Sequence, residues 1–357
     1  MVYPRMDLDL NLFLRSGALL DLSPREVIVG WGERVTSAQP RERGYSFWFQ
    51  PFFADPGQLE DGWQIFEHTA VLEKQDLLAR LQKHTAGESG HPDVWAWRAR
   101  ACGSYEESFR QAQDLIARGE LQKIVLYSAS EAAWEYPHRL SLIQNALAHE
   151  RLYPFGIWDE SWGWIGAAPE VLFEYADSCT VVIDALAGTV ALEESERLRI
   201  DPKILLEQQL VVDDITRQVA ELGEIEASPL DVYENAPLAH LRRRLTLRAP
   251  APLSWRALLS ALHPTAAVGG YPRVRAWEML RALDREIPRR YYGAPIGATD
   301  GQGAGRCVVG LRGVCFEDTA KRATIWVGGG ITSDSRIEAE WEELRLKHEA
   351  VRRWLGV

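Results

Sequence analysis

Intervals of three or four residues separate Ile337, Trp341, Leu344, His348, Val351 and Leu355. That is the spacing of one helix face turned to a core. In the same stretch, RIEAEWEELRLKHEAV, Glu338, Glu342 and Glu349 project away as solvated charge. Glu340, Glu343 and Lys347 line the shoulder of the stripe, where half-buried carboxylates need a cation or a donor. The helical period also predicts a helix from Ser104, opened by a Ser104–Glu107 capping box, buried through Phe109, Ala112 and Ile116, and ended by Gly119. An Asp201–Pro202 start predicts a further helix to about Leu222. It buries Leu205, Val212, Ile215, Val219 and Leu222 and carries Glu207 on its shoulder beside Ile204 and Val211. Two more helices are expected over 253–262 and 273–285.

Between the helices the period shortens. LQKIVLYSA, WGWIGAAPEVLFEY and CTVVIDALAGTVAL alternate or run apolar between turn residues and predict strands. RCVVGLRGVCFE and RATIWVGGG predict a hairpin pair that leads into the C-terminal helix. Residues 1–75 read as short strands and turns with aromatic pieces such as GYSFWFQPFF. Strands and helices mix without strict βαβ alternation, which predicts an α+β architecture with antiparallel sheets. No linker, low-complexity stretch or repeat divides the 357 residues, so one domain is expected.

Composition narrows the class. A net charge of −11 argues against nucleic acid and anionic membrane surfaces as partners. Cys102, Cys179, Cys307 and Cys315 have no CxxC spacing and read as reduced core residues. Acidic residues interrupt the N-terminal apolar run that a signal peptide needs, and no apolar window would span a membrane, so a cytoplasmic protein is expected. Fourteen tryptophans predict a bulky, sheet-rich core.

Some polar residues fall where apolar ones are cheaper. Arg312 shares a strand face with Val308, Val314 and Phe316 and needs an anion, either an internal salt bridge or a ligand carboxylate. Gly328–Gly330 offers unhindered backbone N–H groups near a helix start. Lys123 begins the face continued by Val125 and Tyr127, as a strand end or as a base whose charged form is disfavoured. Glu170 opens an apolar strand, where burial would let it donate a proton near neutrality. Glu207 and the C-terminal glutamates place carboxylates from two helices at the rim of the core, a donor type that suits magnesium.

In order along the chain, QKIVLYS, GAAPEVLF, LAGTV, the Glu207 helix with VVDDI, HPTAAVGGYPR, YYGAPIG, VVGLRGV, VGGGI and EAEWEELRLK resemble the chorismate-utilising enzymes. This family includes the isochorismate, salicylate, anthranilate and aminodeoxychorismate synthases. The resemblance runs from about residue 104 to the C-terminus and is loose over 1–100. It implies two large antiparallel sheets packed as a sandwich, helices outside, with the active site between them. It also implies that Glu207 and Glu343 bind Mg²⁺, with Glu340 beside them or acting through water. Lys347 would lie beside the ring carboxylate of chorismate. Tyr291 and Arg312 would hold the enolpyruvyl carboxylate with amides around Gly328 and Gly330. His240 would lie near the ring, and Gly188 and Thr189 would border the substrate.

Within that family, lysine at the position of Lys123 marks water-adding members, and lysine at the position of Ala187 marks aminodeoxychorismate synthases. The resemblance therefore implies an Mg²⁺-dependent isochorismate synthase. Lys123 would activate water and Glu170 would protonate the departing ring hydroxyl, with no glutaminase subunit and a monomer or homodimer as the assembly. A salicylate synthase, which adds pyruvate elimination, and a non-catalytic chorismate-binding relative are the alternatives. Three positions depart from the family pattern: Ile204 replaces an acid, Gln208 a histidine, and Val190 an arginine common in ammonia-adding members.

Overall fold

The computed structural model describes residues 7–54, 62–85, 95–99, 103–135, 138–235 and 237–357. In chain order the first strands are β1 (Gly17–Asp21), β2 (Glu26–Ser37), β3 (Ser46–Phe49), β4 (Trp63–Glu73), β5 (Arg98–Ala99) and β6 (Lys123–Ala133). Next come β7 (Tyr153–Trp158), β8 (Trp162–Ala168), β9 (Val171–Asp177), β10 (Thr180–Ala191), β11 (Glu224–Ala227) and β12 (Asp231–Asn235). The last are β13 (Leu238–Arg248), β14 (Gly270–Tyr271), β15 (Pro295–Thr299), β16 (Gly305–Val309), β17 (Gly313–Glu317) and β18 (Arg322–Ile331). The helices are α1 (Leu10–Arg15), α2 (Lys74–Thr85), α3 (Gly103–Ala117) and α4 (His138–Leu147), then α5 (Pro202–Val219), α6 (Trp255–Leu262), α7 (Arg273–Asp284) and α8 (Ile337–Leu355).

Each paired set of these strands is antiparallel, and the pairings join into one continuous ladder. One arm runs β13–β10–β9–β16–β15. The other runs β6–β18–β17–β8–β7–β1. Strands β3, β4 and β2 join β15 to β1 and so connect the arms. The two sheets implied by the family resemblance are therefore arms of a single curled sheet. The N-terminal strands, least typical in sequence, form the hinge of that curl. Two of them are longer than the short strands expected there, since β2 has 12 residues and β4 has 11.

The predicted strand through RCVVGLRGVCFE is broken, and the break positions the site. It divides into β16 and β17, one in each arm, and Arg312 sits between them in the left-handed region (φ 57°). WGWIGAAPEVLFEY divides in the same way into β8 and β9, with Pro169 and Glu170 at the corner. These crossings run side by side: Val309 N donates to Glu170 O (3.2 Å) and Ala167 N to Arg312 O (3.2 Å).

The helices follow the predicted periods. Asp201 caps α5 through the Lys203 amide at 3.0 Å, and Ser254 caps α6 through the Ala257 amide at 3.1 Å. The Ser104 side chain, and with it the capping box, lies outside the described residues, as does Cys102. Val211, Val212, Ile215 and Val219 of α5 pack with α6 against one arm, around Val181, Ile183, Leu245 and Leu247. Leu344, Val351 and Leu355 of α8 pack with α3, α4 and α7 against the other arm. Trp31, Trp48, Trp134, Trp158 and Trp164 are among the largest fully buried side chains. Cys179, Cys307 and Cys315 are free thiols, and no described helix is long and apolar enough to cross a membrane.

Candidate active site

A cavity opens between the arms where the two crossing strands bend. With its mouth it encloses about 770 Å³ of empty space. Lys123 of β6 and Gly328 and Gly330 of β18 enter from one arm. Leu186–Thr189 of β10 and His240 of β13 enter from the other. Glu170 and Arg312 come from the crossings, Glu207 from α5, and Glu343 and Lys347 from α8. Residues as far apart in sequence as Lys123 and Lys347 thus converge because the ladder folds back on itself.

The glycines of β18 make room for carboxylates. A Cβ on Gly330 would lie 2.4 Å from Glu207 Oε1 and 2.9 Å from Lys123 Cε. One on Gly329 would lie 3.2 Å from Glu340 Oε2 and 3.6 Å from Glu343 Oε1. Gly188 occupies a bulge between β10 and β13 at φ +67°, and a Cβ there would meet Ile204 Cγ2 at 2.5 Å. Lys347 Nζ donates to Glu343 Oε1 (2.6 Å) and to Gly328 O (2.7 Å). Lys203, not singled out from sequence, donates to buried Glu340 Oε1 at 2.6 Å. Its position four residues before Glu207 on one helix face was the available clue.

Burial sets the protonation preferences. It pushes the Lys123 ammonium down, opposed chiefly by Glu207. Burial, then the Asp184 charge, holds the Glu170 carboxyl well above the usual range, and Glu170 Oε1 has no hydrogen-bond partner. Burial raises Glu207, with Lys123 opposing, and it raises Glu340 with help from Glu343. Burial would lower Lys347, but the Glu343 carboxylate, together with Tyr292 and Glu207, outweighs it and holds the ammonium up. Enclosure of the Arg312 guanidinium pushes it down to about 9. Burial, then Arg312, drives His240 well below its ordinary value.

Eleven of the thirteen residues singled out from sequence line this cavity, and buried Glu340 lies next to Glu343 on the far side of Gly329. The exception is Tyr291. Its ring stacks on Trp162 (5.3 Å between centroids, 7° between planes) and packs on Phe49 at 4.4 Å, away from the cavity. Tyr292 lines the cavity instead. Arg290, in the left-handed region at φ 51°, reverses the chain just before the doublet, so which tyrosine points inward is a property of the turn.

Glu207, Glu340 and Glu343 are hard oxygen donors of the type that holds a divalent cation. Buried Glu340 Oε2 lacks a partner, and the Gly329 and Gly330 faces leave space that side chains would fill. The donor set therefore fits such a cation in type and charge. Among the described residues, however, no group of three or more acidic, histidine or cysteine side chains is gathered closely enough to hold a metal ion. Lys203 and Lys347 engage two of the carboxylates directly.

The departures from the family pattern are packed rather than left empty. Ile204 and Val190 share an apolar cluster with Leu198, Ala239 and Leu241. Gln208 Nε2 donates to Ala185 O at 2.9 Å.

Residues 60–356 match a family described as "Chorismate binding enzyme". The chain is 28% identical over 313 residues to the isochorismate synthase MenF of Pasteurella multocida, covering 83% of this chain and 69% of that protein. It is 30% identical over 316 residues to the salicylate biosynthesis isochorismate synthase of Pseudomonas aeruginosa, covering 85% and 64%. Against the menaquinone-specific isochorismate synthase of Escherichia coli the TM-score is 0.78 at 21% identity, covering 99% of this chain and 92% of that one. That last likeness concerns the fold alone. The chain spans from 53% to 69% of the length of the first curated relatives it matches.

Proposed function

The chain belongs to the chorismate-binding enzyme family, and on that premise we propose that it is an isochorismate synthase. It converts chorismate to isochorismate by adding water to the ring and expelling the ring hydroxyl. The observation that carries this reading is the placement of a buried lysine and a buried carboxyl on different walls of one cavity, Lys123 on β6 and Glu170 at the crossing. Relatives named isochorismate synthase support the same activity.

A neutral Lys123 amine takes a proton from water, which attacks the ring carbon next to the carboxylated one. The ring double bonds shift, and the hydroxyl at the far end of the shift leaves as water with the proton of Glu170. One water enters and one leaves, so substrate and product are isomers. Burial favours the neutral form of both groups, which suits a base and an acid respectively. Arg312 and Lys347 supply positive charge for the substrate's carboxylates. Glu207 and Glu343, with Glu340 beside them, would hold Mg²⁺, which when bound neutralises a substrate carboxylate. Water as the nucleophile requires no glutaminase partner, and apolar Ala187 offers no amine to the ring from its own position.

The test is incubation with chorismate, Mg²⁺ and abundant ammonium, followed by product separation. Isochorismate alone is expected. Anthranilate or aminodeoxychorismate would overturn water as the nucleophile. Salicylate with pyruvate would make the chain a salicylate synthase.

A further inference from the structure

His240 stands between two cavity residues. Its Nδ1 lies 3.1 Å from Thr189 Oγ1, and its Nε2 lies 2.5 Å from an Arg312 Nη2. A guanidinium has only donors, so at hydrogen-bond distance the nitrogen facing it must present a lone pair. The ring proton therefore resides on Nδ1, where Thr189 Oγ1 accepts it and the Gly188 carbonyl also hydrogen-bonds the ring. An imidazolium would set N–H against N–H at Arg312, in a pocket where His240 is 3% exposed.

The other side of Arg312 is fixed as well. Its guanidinium carbon lies 4.5 Å from the centre of the Trp354 ring, a cation–π arrangement. Its backbone is in the left-handed region at the crossing between β16 and β17. Its Nη1 is enclosed with no hydrogen-bond partner. The guanidinium is thus held by a ring face and by an imidazole, with its Nη1 donor unpartnered, in a residue that lines the cavity.

We propose that Thr189, His240 and Arg312 form a hydrogen-bonded relay in which His240, locked as the neutral Nδ1–H tautomer, aims Arg312 at a carboxylate of the bound ligand. His240 is then a positioning residue. It neither transfers a proton nor needs to touch the ring, the place the family resemblance implied for it. The bulge at Gly188 is what brings Thr189 into register with His240, the pair following the skip in the β10–β13 ladder. Thr189 accepts from the ring, so its own O–H is free to donate into the cavity.

The proposal rests on reading the cavity as a carboxylate site, and its test separates the two. Nitrogen-15 NMR of histidine-labelled free enzyme, with His240 assigned by difference against His240→Gln, reads the tautomer without any turnover. The Nδ1–H neutral form is expected at pH 7. The Nε2–H form or an imidazolium overturns the relay, whether or not chorismate is a substrate. With active enzyme, His240→Leu removes the acceptor facing Arg312 and should raise KM about tenfold or more, as for loss of a charge-assisted hydrogen bond, with kcat changed far less. His240→Gln, whose amide can accept from Arg312 and donate to Thr189, should recover most of that KM increase. A fall in kcat at unchanged KM in His240→Leu would instead make His240 a group acting on the reacting atoms and overturn the proposal.

Discussion

Lys203 in the first turn of α5 is paired with buried Glu340 in the first turn of α8, Nζ to Oε1 at 2.6 Å, tying together the two helices that carry the site's carboxylates. Lys203→Met would leave that carboxylate enclosed without its cation. Breaking a buried pair from one side costs about 3 kcal/mol, so chemical denaturation should report a loss of that order. If the carboxylates take up Mg²⁺, the added ion should raise the melting temperature of the variant more than that of the parent. An equal effect on both would remove Glu340 from any role in holding the cation.

The protonation preferences of Lys123 and Glu170 set a pH profile. The base must be neutral, so activity should fall as pH drops below the lowered pKa of Lys123. The acid must be protonated, so activity should also fall as pH rises through the raised pKa of Glu170. Glu170→Gln should lower kcat by about 10²–10⁴ and abolish the alkaline limb, and Lys123→Ala should do the same to the acid limb. A limb that survives its substitution belongs to another group.

Two glycines separate crowding from strain. Gly330→Ala would put a methyl group 2.4 Å from Glu207 Oε1 and 2.9 Å from Lys123 Cε. Both side chains must shift, and displacement of a reacting group by about an ångström costs about 10²-fold in rate. Gly119→Ala meets no atom within 4 Å but has φ +73°. It should lose about 1 kcal/mol of stability with kinetics unchanged. Steady-state kinetics and denaturation midpoints on both variants check this.

Acid should destabilise the fold through histidine. Burial pushes His263 and His348 from 6.5 down to about 4. Between these values each histidine is charged when unfolded and neutral when folded, so the unfolded chain binds the additional protons. Stability is therefore retained above pH 6.5 and lost as pH falls toward 4, at about 1.4 kcal/mol per pH unit for each histidine within the window. His263→Gln should reduce that slope, as read from denaturation midpoints at a series of pH values.

The helices and their shoulders were legible because a period of 3.6 residues is a local property. Glu207, Glu340, Glu343 and Lys347 stood out as polar groups at the edge of apolar stripes before any contact was known. The class of strand pairing was legible for the same reason. Glu170 also stood out, as the opening residue of an apolar strand, and Arg312, although as a residue within a continuous strand. Local alternation cannot reveal that a strand leaves one arm of a sheet and enters the other, because both parts keep the same period.

What the sequence determined by itself was which side chains were too polar for their surroundings, together with the ordered motifs that point to a family. Tertiary structure alone decided how those side chains meet. The curl of the ladder through β2, β3 and β4 brings Lys123 and His240 to one cavity across 117 positions of chain. The turn at Arg290 sends Tyr292 inward and Tyr291 out to Trp162. Lys203 finds Glu340, and His240 finds Arg312, across elements distant in sequence. Such pairings depend on register and on the sense of a turn, which are set by the whole sheet closing over its core, and no residue's own neighbours along the chain encode them.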